Sequence, residues 1–362
     1  MPNIINKRKK VFVAMSGGVD SSVSTALLVA QGYNVCGVFI KGWYPEGIPC
    51  TWREDRRDAM AVAAILSIPF YTFDFSREYK KHIVDYMIAE YKEGRTPNPD
   101  IMCNKYIKFG SFLKKALEMG ADLIATGHYA RLKQEIKSSK VQPNYKLKVG
   151  KDNNKDQSYF LWTLTQDQLK RTIFPIGEYE KPEVREMARK FELPVSEKKD
   201  SQGLCFVGEF KMDEFLTEYI KPKEGKILDN NGVQVGKHKG VQFYTIGQRH
   251  KTGAMGGVPL YVVSKDINKN ILVVAPDNER KKYDTKEVEI SNVNWTSGKM
   301  PDTSKTYSAR FRYRQPLQEC SLFQVSSFKF QVQFKMPQHA IAPGQSLVIY
   351  ENDELLGGGI II

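Results

Sequence analysis

Ser16-Gly17-Gly18-Val19-Asp20-Ser21-Ser22 stands between a short apolar run, residues 11–15, and a stretch in which Val23, Ala26, Leu27 and Ala30 recur at i, i+3, i+4 and i+7. The spacing predicts a strand, a glycine turn and the start of an α-helix. Gly17 and Gly18 lack a Cβ, so the chain can turn sharply and a ligand can approach the backbone. The serines add hydroxyls, and the first amides of a helix have no partner inside it. Donors of this kind, with the helix dipole behind them, bind phosphate. A turn that only joins a core strand to a core helix needs neither three serines nor an aspartate.

No Gly-Lys-Ser/Thr follows the glycines, which excludes a Walker A loop, and the G-x-G-x-x-G spacing of a dinucleotide fold is absent. The stretch resembles the pyrophosphate loop of ATP pyrophosphatases, S-G-G-x-D-S. That resemblance implies cleavage of ATP between its α- and β-phosphates, with AMP used to activate a carbonyl oxygen.

Strand and helix patterns alternate after the loop. Residues 35–40 form an apolar run; Ala59, Val62, Ala63 and Leu66 share a helical face; residues 68–75 read as a strand. Ser76 is placed to cap a helix running to residue 92. Residues 95–103, with Pro97 and Pro99, read as a loop, followed by a helix over 112–119 and a strand over 123–126. The pattern predicts a mostly parallel sheet covered on both faces. Ligands of such sheets bind beyond the carboxyl ends of the strands, where Ser16, Ile40 and Gly127 fall.

The lysine-rich residues 131–155 read as a hairpin with a solvated face. Pro182 suits the first turn of a helix carrying Val184, Met187, Ala188 and Phe191. Past residue 221 the pattern is nearly all β, with Asn231-Gly232 as a hairpin turn. Tyr307, Ala309, Phe311 and Tyr313 alternate with Ser308, Arg310, Arg312 and Arg314. Phe328, Phe330, Val332 and Phe334 alternate with Lys329, Gln331, Gln333 and Lys335. Both runs read as half-buried strands of a small barrel with a basic outer face. The expected fold is therefore α/β: a parallel-sheet domain of the ATP-pyrophosphatase type, then two small β domains, the last a β-barrel. The expected divisions are 1–212, 213–280 and 281–362.

Composition narrows the function classes. The chain has 362 residues, enough for two or three domains, and a net charge of +13, which suits a nucleic-acid partner as well as it suits simple solubility. Five cysteines (Cys36, Cys50, Cys103, Cys205 and Cys320) include no C-x-x-C pair, which excludes a disulfide scaffold and a zinc ribbon. A reducing, cytoplasmic setting is expected. The basic run at residues 7–10 precedes no long apolar segment, and nothing is long and apolar enough to cross a bilayer, so no membrane partner is expected.

Six motifs occur in order: Met15-Ser16-Gly17-Gly18-Val19-Asp20-Ser21-Ser22; Thr96-Pro97-Asn98-Pro99-Asp100 with Cys103-Asn104; Thr126-Gly127-His128-Tyr129; Lys155-Asp156-Gln157-Ser158-Tyr159; Ser201-Gln202-Gly203-Leu204-Cys205-Phe206; and Tyr244-Thr245-Ile246-Gly247-Gln248-Arg249. Together they resemble the tRNA-specific 2-thiouridylase family, which places sulfur on the wobble uridine, and the resemblance covers almost the whole chain. It implies a uridine C2 carbonyl activated by AMP, a persulfide on Cys205 and a nucleophile at Cys103, with transfer leaving a disulfide between them. Each of these cysteines is expected in a polar loop, with Asp100 nearby as a general acid or base. ATP is expected at Ala14, Met15, Ser16, Gly17, Gly18, Val19, Asp20, Ser21, Ile40 and Gly127, with Mg²⁺ on Asp20. Contacts to tRNA are expected from Asn98, Pro99, Asp100, His128, Lys155, Asp156, Gln157, Arg312, Tyr313 and Gln345. The expected partners are tRNA and a persulfide donor or sulfur-relay protein, met by a monomer. Cys36 and Cys320 are expected in the core, and Cys50 receives no role. An iron–sulfur cluster on Cys103 and Cys205 stays open as an alternative sulfur route. Two other functions stay open too. One is a small-molecule ligase amidating a carboxylate, which needs neither paired loop cysteines nor a basic barrel. The other is a non-catalytic RNA-binding protein that keeps the loop as a nucleotide sensor. ATP consumption that depends on tRNA and a sulfur donor separates the three.

Overall fold

The computed structural model describes residues 9–45, 52–136, 143–200, 212–250 and 258–362. The first seven strands are β1 (Lys10–Ala14), β2 (Asn34–Lys41), β3 (Phe70–Asp74), β4 (Leu123–Ala125), β5 (Ala130–Glu135), β6 (Asn144–Val149) and β7 (Thr172–Ile173). Five of them form a parallel sheet in the order β3-β2-β1-β4-β7. Val11, Phe12 and Val13 of the central strand are all fully buried, so both faces of the sheet are covered, as a continuous apolar run requires. Helix α1 (Val19–Ala30) leaves β1 through the glycine turn, and α2 (Trp52–Ile65) leads to β3.

Two expectations on this unit change. Ser76 is the first helical residue and not the cap; its amide donates to Asp74 Oδ1 at 3.0 Å and its hydroxyl to the carbonyl of Gly42 at 2.9 Å. Asp74 supplies the cap because an aspartate two residues upstream reaches that amide. The stretch 95–103 is also not loop to its end. Asn98 accepts from the Ile101 amide at 3.3 Å and starts the helix Pro99–Met102, which runs on as a π-wound segment, Cys103–Phe112, and then Leu113–Glu118. Pro99 suits a first helical turn because its missing amide would have had no partner there. Cys103 is therefore helical, and it is fully buried, not part of a polar loop.

The second sheet has the order Arg249–His250, Leu260–Asp266, Ile271–Pro276, Gly225–Leu228, Gln234–His238. Gly232 has φ +83°, which the hairpin turn between the last two strands needs and glycine adopts without strain. The third sheet is a closed barrel of Thr285–Trp295, Lys329–Gln338, Gln318–Ser326, Thr306–Arg310, Ser346–Glu351 and Glu354–Ile361. The β5–β6 hairpin joins this barrel through β6 and the strand Glu354–Ile361. Its lysines are thus not a plain solvated face: Lys148 meets Asp353 and Lys146 meets Glu354, both at 2.9 Å.

The barrel interior is as expected, with Tyr307, Ala309, Phe311, Cys320, Phe330, Val332 and Phe334 in one cluster. Phe328 departs from the pattern, since it lies beyond the strand and is 79% exposed. Arg310 departs as well. It is 7% exposed and forms an ion pair with Asp156, and its guanidinium also meets Tyr350 Oη at 2.9 Å and Ser158 Oγ at 3.2 Å. The outer face of this strand is covered by the Lys155–Tyr159 motif, so strand alternation placed Arg310 correctly while the covering segment removed it from solvent. Arg312 and Arg314 lie past the strand end and are exposed.

Breaking a buried ion pair from one side leaves the other charge uncompensated. Asp156→Ala is expected to destabilise the protein by about 3–5 kcal/mol, read as a lowered transition in scanning calorimetry. If the expected RNA contact is made, Arg310→Ala should leave its salt dependence unchanged, because this guanidinium faces Asp156.

Candidate active site

The glycine turn places its donors at the carboxyl end of β1. Gly17 has φ +78°, and a Cβ there would stand 2.2 Å from the carbonyl oxygen of Asp55, so no other residue fits. Gly18 is the N-cap of α1 and brings no side chain to the first amides of the helix. Ser21 Oγ accepts from the Ser16 amide at 3.1 Å and donates to the Gly18 carbonyl at 3.1 Å, which holds the turn closed. Ser22 is fully buried and donates to Gly18 O at 2.8 Å, so it is part of the helix framework. Ser16 is the exposed hydroxyl of the three serines. Beside the turn, a Cβ on Gly127 would stand 2.8 Å from the Ser21 amide nitrogen, so the end of β4 presses directly on the start of α1. Val19 and Ile40 are buried behind the turn, Met15 is buried with its amide on Val38 O at 2.8 Å, and Ala14 is partly covered.

Asp20 is the electrostatic centre. Its Oδ1 accepts from Tyr129 Oη at 2.8 Å and from Lys181 Nζ at 2.7 Å. Lys181 also meets Asp200 Oδ1 at 2.8 Å, and Asp200 takes Arg185 at 2.9 Å and Lys155 at 2.6 Å. Burial raises the Asp200 carboxyl, but hydrogen bonds from Lys155 and Lys181 and their charges outweigh it and bring it down to about 2. Burial, and then the Asp20 carboxylate, push the Tyr129 phenol far up, so it stays a proton donor. Lys181 and Tyr129 carry no expectation from sequence as site residues. Lys181 reads as an ordinary helix-start lysine beside Pro182, and its amide is fixed by Asp152 Oδ2 at 2.9 Å.

A run of bonds leads from this centre to the second motif. The amide of Tyr129 donates to Gln157 Oε1 at 3.0 Å, and Asn104, next to Cys103, donates from Nδ2 to Phe160 O at 3.0 Å. Gln157 and Phe160 belong to one short turn, with the Phe160 amide on Gln157 O at 3.0 Å. Asn98, Pro99 and Asp100 are partly exposed at the start of the Cys103 helix. Gln345 Nε2 donates to Thr96 O at 2.8 Å and Pro97 O at 3.2 Å, and the ring of Tyr313 lies 4.8 Å from that of Phe160. The structure thus sets Gln345 on the Thr96–Pro97 backbone and links Gln157 and Tyr313 to Phe160, whose carbonyl holds Asn104. Two expected RNA contacts are internal instead: Asp156 is consumed by Arg310, and His128 is 6% exposed between Phe109 and Phe174. The Thr126 hydroxyl lies 2.7 Å from His128 Nδ1. Cys205 and Cys50 fall outside the described residues. Cys36 and Cys320 are buried, and burial pushes the Cys320 thiol up to about 12.

Among the described residues no group of three His, Cys, Asp or Glu gathers into a metal cage, and no helix is long and apolar enough to cross a membrane. Magnesium needs no such cage, because it binds through one or two carboxylates plus substrate phosphates and water. Asp20 fits that use: both of its bonds fall on Oδ1, leaving the second carboxylate oxygen outside them.

Burial, and then the charge of Lys108, hold His128 well below its ordinary value of 6.5. It is neutral when folded and takes up a proton only on unfolding. Stability is therefore kept above that value and lost as pH falls below it, by at most about 1.4 kcal/mol per pH unit. Urea unfolding of His128→Gln between pH 5 and 7.5 should show a flatter acid limb than the wild type.

The chain is similar to known proteins along its length. Models described as tRNA methyl transferase HUP domain, tRNA methyl transferase PRC-barrel domain and aminomethyltransferase beta-barrel domain match residues 9–209, 213–276 and 285–361. The tRNA-specific 2-thiouridylase MnmA 2 of Aliarcobacter butzleri is 44% identical, over 99% of both chains. The tRNA-specific 2-thiouridylase MnmA of Streptococcus sanguinis is 45% identical, over 98% of this chain and 96% of its own. A solved 4-thiouridine synthetase–RNA complex with bound ATP overlaps 58% of this chain and 50% of its own, at 20% identity and a TM-score of 0.37. The full-length identities, with the phosphate loop and the Cys103 helix in place, settle the kinship: the chain belongs to the tRNA-specific 2-thiouridylase family.

Proposed function

We propose that this protein is a tRNA-uridine 2-sulfurtransferase that uses ATP to exchange the C2 oxygen of the wobble uridine, position 34, for sulfur. The observation that carries the reading is the bonded path from the phosphate loop to the Cys103 helix, Asp20 to Tyr129 to Gln157 and Phe160 to Asn104. A nucleotide loop joined to a cysteine helix suits a reaction with one activation step and one sulfur step.

In the first step the uridine C2 oxygen attacks the α-phosphorus of ATP, and the bond to the β-phosphate breaks. Pyrophosphate leaves into the amides at the start of α1, and AMP stays on the oxygen. Magnesium carried in on the phosphates, with Asp20 as its protein ligand, would neutralise the leaving pyrophosphate. In the second step the terminal sulfur of a persulfide on Cys205 adds to C2, and AMP departs with the original oxygen. The Cys103 thiolate then attacks the Cys205 sulfur, which frees 2-thiouridine and leaves a Cys103–Cys205 disulfide. A thiol reductant and a persulfide-donating protein must reset the pair before another turnover. Asp100 would relay a proton during this exchange. Residues 1–212 would form the catalytic unit, residues 213–280 a central unit, and residues 281–362 the RNA-facing barrel, with Arg312, Tyr313 and Gln345 contacting tRNA together with Lys155 and Gln157. The enzyme acts as a cytoplasmic monomer.

Labelled ATP should yield AMP and pyrophosphate; ADP and orthophosphate would overturn the assignment, because the loop has no lysine of the kind that serves γ-phosphate chemistry. Cys205→Ser should still adenylate tRNA yet form no thiouridine from a persulfide donor. Cys103→Ser should hold the sulfur on Cys205, visible by intact-protein mass. Because Cys103 is fully buried, its alkylation by iodoacetamide should be slow in the free protein and rise when tRNA and ATP are added. Equal labelling in both states would count against a thiol that is uncovered for the reaction.

A further inference from the structure

The loop that receives the phosphates carries no cation of its own; its charged residue is Asp20. The triphosphate of ATP is strongly anionic, and a Walker loop meets that charge with a lysine that directly follows its last glycine. Here the cation bonded to the loop comes from far along the chain, from the first turn of the helix Lys181–Lys190. Its ammonium stands 2.7 Å from Asp20 Oδ1 and 2.8 Å from Asp200 Oδ1, and the residue is 8% exposed.

We infer that Lys181 is a catalytic phosphate ligand, the cation that leaves Asp20 to take the β- and γ-phosphates of ATP and then the departing pyrophosphate. The inference rests on the ATP-pyrophosphatase reading above. Three features make the exchange feasible. A lysine is a point charge on a flexible four-carbon stem, so it can turn from one anion to a neighbouring one without moving its helix. Its backbone is fixed, with the amide on Asp152 and Glu180 and Glu183 closing a capping box around the helix start. The partners it leaves are not stranded: Asp200 keeps Lys155 and Arg185, and Asp20 keeps the Tyr129 hydroxyl. A salt bridge serving stability alone needs no such backup. Burial also raises the worth of the contact, because a charge excluded from water acts through a lower dielectric.

The test compares binding of α,β-methylene-ATP, which cannot be cleaved at the relevant bond, with binding of AMP by calorimetry. Lys181→Met keeps the apolar stem and removes the charge. It should weaken α,β-methylene-ATP by about 10- to 100-fold and leave AMP unchanged, while Lys181→Arg restores most of the loss. Asp200→Asn breaks the ion-pair network but spares the lysine, so it should keep the preference for the triphosphate. Equal loss for both nucleotides in Lys181→Met, no loss for either, or loss of the preference in Asp200→Asn as large as in Lys181→Met would each overturn the role. If Lys181→Met fails to fold, the ratio of the two affinities in Lys181→Arg and Asp200→Asn decides the matter. A wild-type protein that splits ATP to ADP refutes the broader reading. One that makes AMP and pyrophosphate while Lys181→Met keeps its preference refutes this inference alone.

Discussion

A single carboxylate oxygen, Asp20 Oδ1, is where the first unit is tied together. It sits in the first turn of α1, takes the phenol of Tyr129 from the end of β4, and takes the ammonium of Lys181 from a helix that starts about 160 residues later. Parallel sheets gather such residues at one end, because every strand enters its loop on the same side. What is unusual is how little room the gathering leaves. Gly127 presses against the Ser21 amide and Gly17 against the Asp55 carbonyl, so the backbones of three segments touch before any side chain is placed. The loop is preorganised in this sense, and its donors need little rearrangement to meet an anion.

The barrel is held to this unit by polar bonds that are themselves buried. Arg310 meets Asp156, Ser158 and Tyr350, and Tyr159 Oη donates to Ser346 O at 2.9 Å and to Phe311 O at 3.2 Å. Apolar packing would hold two surfaces together without fixing their angle. Hydrogen-bonded charges in a dry interface are satisfied in one arrangement, and losing it leaves a charge unpaired. The β5–β6 hairpin reinforces the same geometry, since it belongs to the first unit in sequence and to the barrel in its hydrogen bonds. The relation between the phosphate loop and the barrel mouth is thus set by specific bonds along two separate routes.

Local chemistry made much of this legible. The strand, turn and helix around Gly17 followed from glycine, periodicity and free amides, and the interior of the barrel from strict alternation at Tyr307, Ala309 and Phe311. What failed depended on neighbours distant in the chain. Arg310 has the same alternation as any solvated arginine, and only the Asp156 segment laid over it, 154 residues away, makes it internal. The lysines of β6 read as solvated until the strand carrying Asp353 and Glu354 comes to lie beside them. Cys103 read as a loop residue because Pro97 and Pro99 break helices in most contexts, whereas Pro99 here begins one. Lys181 carried no signal at all, since a lysine before a helix proline is unremarkable until Asp20 is found against it.

The segment before Cys103 shows what the bonded architecture achieves. Thr96 is where all three units meet: its amide donates to Pro343 O at 2.8 Å, its carbonyl accepts from Gln345 Nε2 at 2.8 Å, and its hydroxyl lies 3.1 Å from that of Thr245. Two residues earlier, Lys265 of the second sheet donates to Gly94 O at 2.6 Å and to Tyr244 O at 2.7 Å. Burial brings that lysine down to about 8, so most of it stays charged at neutral pH and its bonds to the two carbonyls are charge-assisted. Gly94 to Thr96 is therefore clamped from the barrel and from the second sheet, and Asn98 opens the Cys103 helix immediately beyond. A displacement of about 1 Å at a reacting group can cost a hundredfold in rate. In the proposed reaction the clamp turns remote RNA contacts into placement of Asn98, Asp100 and Cys103, because neither β unit can shift without moving the backbone that carries them. Binding energy gathered far from the uridine is then spent where the sulfur must arrive, which is how such energy raises a rate and not merely an affinity.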